Sequence, residues 1–374
     1  MHLESVDPVR DTRWARFVAS NPDASIFHHP RWLGTLQSEY GYSLNACCVV
    51  QGDALVAGLP LARIESRLTG RRLVALPFSD TCAPLLHPAT GEDVRRQLMV
   101  ALEHEASRLP LEIHAPVADL PSGRLTPLFH HHVVALEPDL AAVERRFSKS
   151  QVRRGVAKAR REGLVAERHL SLGALDEFYR LHLRTRRRQG MPIQPKRFVR
   201  AFSSLFDAGL GFTVLVTQQE RTIAAGVFLA FNGILVYKYG ASDERYLATR
   251  PNNLLFMEAI RWGCANGMHS FDLGRTDLDN EGLAAFKRSW GADERTLSYT
   301  HTSERAPEVG DGRTVRTMKA LIRRGPPGLS RLTGGRELRR QHDAHDALGP
   351  IGGGLAEPLL ERPGRGRGGG RKFG

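Results

Sequence analysis

The segment LVYKYGASDERYLATRPNNLLFMEAIRWGCANGMHSFDLGRTDLDNEGLAAFKRSWG, Leu235–Gly291, decides how this chain folds. Ile234 to Tyr239 is rich in β-branched and aromatic residues and reads as a strand. A polar loop, Ala241 to Arg250, leads to Pro251, which sets up a helix with Asn252 or Asn253 as its cap and Gly267 as its stop. The short strand Ser270–Leu273 follows, with Phe271 and Leu273 on one face and Asp272 on the other. Gly274 permits a sharp turn or the close approach of a ligand. A second helix, Gly282 to Trp290, sets Leu283, Phe286 and Trp290 on one face, with Lys287 at the edge of that stripe, where it can reach a cleft.

The chemistry implied is positional. A strand–loop–helix step aims backbone N–H groups and a positive dipole end at whatever lies near Asn252, and an acyl donor carrying phosphates suits that end. Asp272 and Lys287 add one negative and one positive group nearby.

Asp272-Leu273-Gly274, Gly282-Leu283, Phe286-Lys287 and Trp290-Gly291 form the pattern D-L-G…G-L-x-x-F-K-x-x-W-G. It resembles the FemABX family of peptidoglycan-bridge aminoacyltransferases, nearest to its FemAB-like, GNAT-fold N-acyltransferase members. Tyr239-Gly240-Ala241-Ser242, Arg250-Pro251-Asn252 and Gln151-Val152-Arg153-Arg154…Ala157-Lys158 are similar to the same family, and the resemblance covers about residues 14–302. It implies transfer of an activated acyl group, from aminoacyl-tRNA or acyl-CoA as co-substrate, to an amine of a cell-envelope precursor or related metabolite, with no tightly bound cofactor. It implies that Lys287 holds the donor or steadies the tetrahedral intermediate by its charge, and that Asp272 orients the acceptor amine, a base role staying open. Tyr239, Asn252, Gly274 and Phe286 complete the implied binding site, and Arg153, Arg154 and Lys158 supply a basic face able to grip phosphate. The plain alternatives are a surface lysine, a structural turn bond at Asp272 and a solvated basic face.

The donor stays open. A GNAT acetyl-CoA loop, Q/R-x-x-G-x-G/A, belongs just before the helix at Asn252, whereas this chain has Arg245-Tyr-Leu-Ala-Thr-Arg250, without glycine. That disfavours ordinary pyrophosphate binding and favours aminoacyl-tRNA or a differently held donor. Bridge transferases, however, often carry a coiled-coil insertion for tRNA, and no long heptad stretch is present. Two rival functions are an acyl-CoA N-acyltransferase of polysaccharide or secondary-metabolite synthesis, and a non-catalytic basic protein that associates with RNA or membrane.

Working outward, Leu55-Val-Ala-Gly-Leu-Pro-Leu-Ala62 echoes Ile223-Ala-Ala-Gly-Val-Phe-Leu-Ala230, each after a strand and a turn. Repetition at this scale points to two copies of one unit. The expected fold is α/β with α+β-type mixed sheets, as tandem duplicated GNAT-like domains: residues 1–145, then 146–302 carrying the site. The strands expected are Asn45–Gln51 and Leu55–Ile64 as a hairpin, Arg71–Phe78, Leu111–His114 and His132–Leu136; Phe212–Thr217, Thr222–Ala230 and Ile234–Tyr239 form a meander. Asp11 caps a helix with Trp14, Phe17 and Val18 inside, and another helix begins at Ser25. Val94–Leu109, 139–163, Leu175–Gln189 and Phe198–Leu205 are further helices. His130-His131-His132 lacks an acidic or Cys partner at ligand spacing, so no metal site is assigned.

The 374 residues carry 53 Lys and Arg against 40 Asp and Glu, a net charge of +13, which suits RNA, nucleotide phosphates or an anionic membrane face; no DNA partner is expected. Only seven of the basic residues are Lys, which draws attention to Lys238 and Lys287. The four cysteines show no CxxC spacing and fit a reducing compartment. Without a signal core or membrane-length apolar run, the expected location is cytoplasmic, with peripheral contact at the inner membrane face. That contact is assigned to a basic amphipathic segment over 313–332, within a tail of residues 303–345. Residues 346–374, rich in Gly, Pro and Arg, read as disordered.

Overall fold

In the computed structural model, which describes residues 1–66 and 70–303, the chain begins with β1 (His2–Val6) and α1 (Thr12–Ser20). Asp11 caps α1 by accepting from the Arg13 amide, and Trp14, Phe17 and Val18 are its buried face. The helix expected from Ser25 is split: a single tight turn, Ile26–His28, precedes α2 (Pro30–Tyr40), because Pro30 fits only a first helical turn. β2 (Ser43–Gln51) and β3 (Ala54–Ser66) form the expected hairpin over Gly52, at φ +59°. Then come β4 (Gly70–Val74), β5 (Leu85–Leu86), α3 (Glu92–Arg108), β6 (Leu111–Ile113) and β7 (Arg124–Ala135). The strand expected over Arg71–Phe78 stops at Val74, since Leu76 and Phe78 adopt φ of 65° and 62°, which no ladder accommodates.

The helix expected over 139–163 is three pieces: α4 (Leu140–Arg145), a wide π-type turn at Lys149–Arg153, and α5 (Arg154–Arg161). Ser148 breaks it by leaving the helical path, its amide donating to the Ser289 carbonyl at 2.8 Å and its hydroxyl capping the next turn at Gln151. β8 (Val165–His169), α6 (Leu172–Gln189) and α7 (Lys196–Asp207) lead into β9 (Gly211–Gln218), β10 (Arg221–Phe231) and β11 (Ile234–Ser242). Two-residue turns close this meander: Gln219-Glu220 and Asn232-Gly233 all take positive φ, the mirror-image geometry that matches strand twist. α8 (Pro251–Ala265), β12 (Ser270–Asp277), α9 (Glu281–Arg288) and β13 (Asp293–His301) complete the described chain.

The strand order is β1-β2-β3-β4-β6-β13-β7-β12-β11-β10-β9-β8, with β5 on β3. Each half repeats one plan: four antiparallel strands, then a fifth parallel to the fourth, as β6 beside β4 and β12 beside β11. The sequence echo falls on β3 and β10. The closing strands are exchanged: β7 of the first half pairs with β12, and β13 of the second pairs with both β6 and β7. This is the mixed-sheet, duplicated fold expected.

One apolar core joins the halves. Trp32 of α2 sits 6.3 and 6.1 Å from the rings of Phe198 and Phe202 on α7. Burying side chains of this size contributes roughly 1.5–3 kcal/mol each. A second core lies under α8 and α9, around Phe256, Phe271 and Trp290. No helix among the described residues is long and apolar enough to cross a membrane. The amphipathic segment over 313–332 and the tail 346–374 lie outside the described residues.

Candidate active site

β11 and β12 pair in parallel only from Ile234–Val236 against Ser270–Asp272, and both run on beyond. Each is bulged at that point. Val227 opposes Tyr239 while Phe228 opposes Tyr237, leaving Lys238 as the extra residue of β11. β12 shifts register against β7 between Asp272 and Arg275, across Gly274 at φ +72°. Bulges add twist and re-aim side chains, so two at one level prise the strands apart.

Residues 75–84 enter this split from the first half. The Lys238 ammonium donates to the Phe78 carbonyl and lies 5.1, 5.5 and 5.2 Å from the ring centres of Phe27, Trp32 and Tyr239. It thereby clamps the left-handed turn, and burial pulls it down to about 8. Beyond the turn, buried Asp80 faces Arg275, with Oδ1 3.5 Å from its Nε. Arg275 Nη1 donates to the Tyr299 hydroxyl at 2.6 Å, which donates to the Asp80 carbonyl at 2.7 Å. A Cβ at Gly274 would come within 2.9 Å of Asp80 Oδ2. Gly274→Ala is therefore expected to lose about 1–2 kcal/mol from the left-handed backbone alone and to displace Asp80. Urea titration checks it; a change below about 0.5 kcal/mol contradicts this packing.

Asp272 projects on the face opposite Phe271 and Leu273, as strand alternation requires. Its Oδ1 accepts from the Gly274 amide at 2.7 Å and meets His131 Nε2 at 2.8 Å. Burial raises the Asp272 carboxyl, but His131, the Gly274 amide and Lys287 outweigh it and hold it below the ordinary range. For His131 burial opposes charge, but Asp272 and Asp80 outweigh burial and raise it.

Lys287 does not sit at the edge of the apolar stripe facing an open cleft, as its position on the helix implied. It is fully buried on α9, and Nζ donates to the carbonyls of Gly274 at 2.9 Å and Arg275 at 3.0 Å. These carbonyls flank the β12 bulge. Two of its three protons are thus engaged, and the third has no acceptor among the described residues. Burial pulls the ammonium down to about 8 against the opposing pull of Asp80, Asp272 and Asp277.

Beyond the split, α8 starts directly at Pro251. The expected Asn252 or Asn253 cap is replaced by Arg250 in a left-handed conformation, both asparagines lying inside the first turn. Proline's preset φ and missing N–H make it the natural first residue, which moves the boundary. Asn253 Nδ2 donates to the Gln151 carbonyl at 3.0 Å, and a Cβ at Gly155 would come within 2.7 Å of that nitrogen. The π-type turn and the start of α5, which carry Arg153, Arg154 and Lys158, therefore pack on the first turn of α8. Arg153 and Arg154 are exposed, Lys158 and Asn252 half-buried.

Residues 146–288 match the model of the acetyltransferase (GNAT) domain family. The solved structure of FemX superposes with a TM-score of 0.62 at 13% identity, over 81% of this chain and 97% of that one. The chain has the FemABX-like GNAT fold. L-PGS from Bacillus licheniformis matches with a TM-score of 0.52 at 14% identity, over 85% of this chain and 97% of that one. Among curated proteins, the lipid II:glycine glycyltransferase of Staphylococcus epidermidis, in each of two strains, is 32% identical over 90 residues. That match takes in 20% of this chain, which spans about a fifth (21%) of the relative's length.

In this FemABX-like fold Lys287, Asp272 and Gly274 come together, with Tyr239 on the facing strand. Phe286 does not join them: it packs on Phe256 and Trp290, 5.7 and 6.3 Å between ring centres. Asp80, His131, Arg275 and Tyr299 were not singled out from the sequence as site residues. For His131 the available signal was strand alternation through His130-His131-His132, which sends His131 to Asp272 and its two neighbours to Glu294.

Proposed function

We propose that this chain is an acyl or aminoacyl transferase that moves an activated acyl group onto an amine of a cell-envelope precursor. One observation carries the reading: a buried ammonium with an uncommitted proton, Lys287, beside paired Asp272 and His131 where two parallel strands separate. Attack of an amine on an activated carbonyl places negative charge on the carbonyl oxygen, and a fixed cation in a dry site stabilises that charge. Asp80 and Asp272 draw in the acceptor amine, which is cationic before it reacts. Asp272, held ionised and already accepting two bonds, orients the amine and balances charge; the ammonium gives one proton to water before it attacks, the donor's ester or thioester bond breaks as the amide bond forms, and the amine's second proton leaves with the released hydroxyl or thiol.

The donor approaches from the α8 end, where Arg153, Arg154 and Lys158 offer charge to phosphates. The segment before α8 is a tight helical run, Glu244–Thr249, instead of a glycine loop. This supports aminoacyl-tRNA, or a donor held otherwise than acetyl-CoA usually is. Mass spectrometry of the envelope precursor pool in a deletion strain tests the reading. A precursor lighter by one amino-acid or acyl residue supports it, and an unchanged pool refutes it.

Turnover should fall as pH rises through about 8, where Lys287 loses its charge. Stability should move the other way. The folded value lies below the ordinary 10.5, so the unfolded chain binds more protons between about 8 and 10.5 and stability rises there with pH; Lys238 adds the same sign. Initial rates and urea midpoints over that range check both. Turnover that keeps rising past pH 9.5 would show that the ammonium is not needed.

A further inference from the structure

Asp80 lies in a turn outside the strand ladders: β4 has ended at Val74, and Leu76 and Phe78 take left-handed backbone. The flanks of the turn are tied to the β6 segment, the Ala75 amide donating to the Glu112 carbonyl at 2.8 Å and the Cys82 amide to the His114 carbonyl at 3.0 Å. Between those ties, two successive carbonyls are held by side chains. The Ser79 carbonyl lies 3.0 Å from His114 Nδ1, and the Asp80 carbonyl accepts from the Tyr299 hydroxyl at 2.7 Å. His114 and Tyr299 are stacked, with ring centres 4.4 Å apart and planes 16° from parallel, so the two donors form one plate.

His114 is buried, 4% exposed. Its other ring nitrogen, Nε2, lies 3.1 Å from Glu112 Oε1, and Arg72 Nε lies 3.7 Å from Glu112 Oε2. Burial raises the Glu112 carboxyl, but His114, Arg72 and Arg275 outweigh it and hold it below the ordinary range. Both ring nitrogens therefore face groups that only accept, a carbonyl and a carboxylate. The nearby Ser79 hydroxyl offers Nδ1 no hydrogen, because it gives its own to the Leu76 carbonyl at 2.5 Å. This set of bonds is complete only when each ring nitrogen carries a hydrogen. The other charges around the ring are Arg275 and Asp80, 3.5 Å apart across the stack, and burial raises the Tyr299 phenol, which keeps its hydrogen.

We propose that His114 is a positioning residue for Asp80: as an imidazolium paired with Glu112 it fixes the Ser79–Asp80 peptide, so that the Asp80 carboxylate stays against Arg275 and Gly274 at the split between β11 and β12. Losing one ring hydrogen leaves either the Ser79 carbonyl or Glu112 without its donor, and the turn loosens. The effect on transfer rests on the acyl-transfer reading above, in which Asp80 draws in the acceptor amine; the effect on the turn does not.

Heteronuclear NMR of the deuterated full chain, with the His114 ring and the Asp80 amide followed against pH, tests the placement without substrate. Both should titrate with one shared midpoint. Glu112→Gln should lower that midpoint by about one unit or more. His114→Asn, which keeps a donor toward Ser79 but cannot ionise, should remove that transition from the Asp80 amide. An Asp80 amide that ignores the His114 transition, or an unmoved midpoint in Glu112→Gln, overturns the proposal. Returned to the deletion strain, His114→Phe, which keeps the stack and loses both donors, should modify the precursor about tenfold less than the wild type, and His114→Asn should come within about threefold of it. Equal modification by His114→Phe and the wild type overturns the positioning role. If either His114 variant does not fold, the titrations of the wild type and Glu112→Gln decide. A pool unchanged by the deletion would instead sink the acyl-transfer reading, while the titration still decides what holds Asp80.

Discussion

Lys287→Met should lower transfer about 10²–10³-fold while shifting the melting temperature by only a few degrees. The activity loss follows from removing the cation placed to meet the developing oxyanion. The small stability change follows from two opposed effects. The Gly274 and Arg275 carbonyls lose a donor, at about 1–3 kcal/mol each if left dry. Against this, Met fills the same space without a buried charge, whose cost is visible in the fall of the lysine's pKa from 10.5 to about 8. Initial rates beside circular-dichroism melts make the comparison. A variant retaining a third of wild-type turnover would remove Lys287 from the chemistry.

Asp80→Ala should cost both stability and turnover. The substitution takes the paired carboxylate from buried Arg275, and removing one partner of a buried ion pair costs about 3–5 kcal/mol. It also opens the packing against Gly274. Because residues 75–84 come from the first half and β12 from the second, the loosened contact is one between halves. Turnover should drop at least tenfold, since the acceptor amine loses one of its two carboxylates. Asp80→Asn should recover much of the stability but not the rate. An Asp80→Ala protein with the wild-type urea midpoint would show that this contact is no strut between halves.

The contrast between these variants marks what was legible beforehand. Lys287, Asp272 and Gly274 lie within sixteen residues on one strand–helix step, so their proximity follows from local geometry. Asp80 and His131 are far from them in sequence and meet them only because the halves exchange closing strands and the first half sends a loop into the second. The burial of Lys287 was misjudged for a related reason. Helical spacing places it beside an apolar stripe, but its depth depends on carbonyls turned toward it at the β12 bulge. The basic run at Arg153–Lys158 was read as one long helix because propensity carries no sign of the Ser148–Ser289 bond that breaks it.

What the sequence determined by itself was the repeated unit: alternating apolar residues, paired turn residues and helix stops at Gly190 and Gly267 act over a few residues and need no partner. Only the tertiary structure decided the charge states. Whether Lys287 titrates near 8 and whether Asp272 stays ionised depend on groups brought from elsewhere in the chain, Asp80 and His131 among them. In a dry interior these long-range neighbours govern electrostatic energy more strongly than any residue adjacent in sequence.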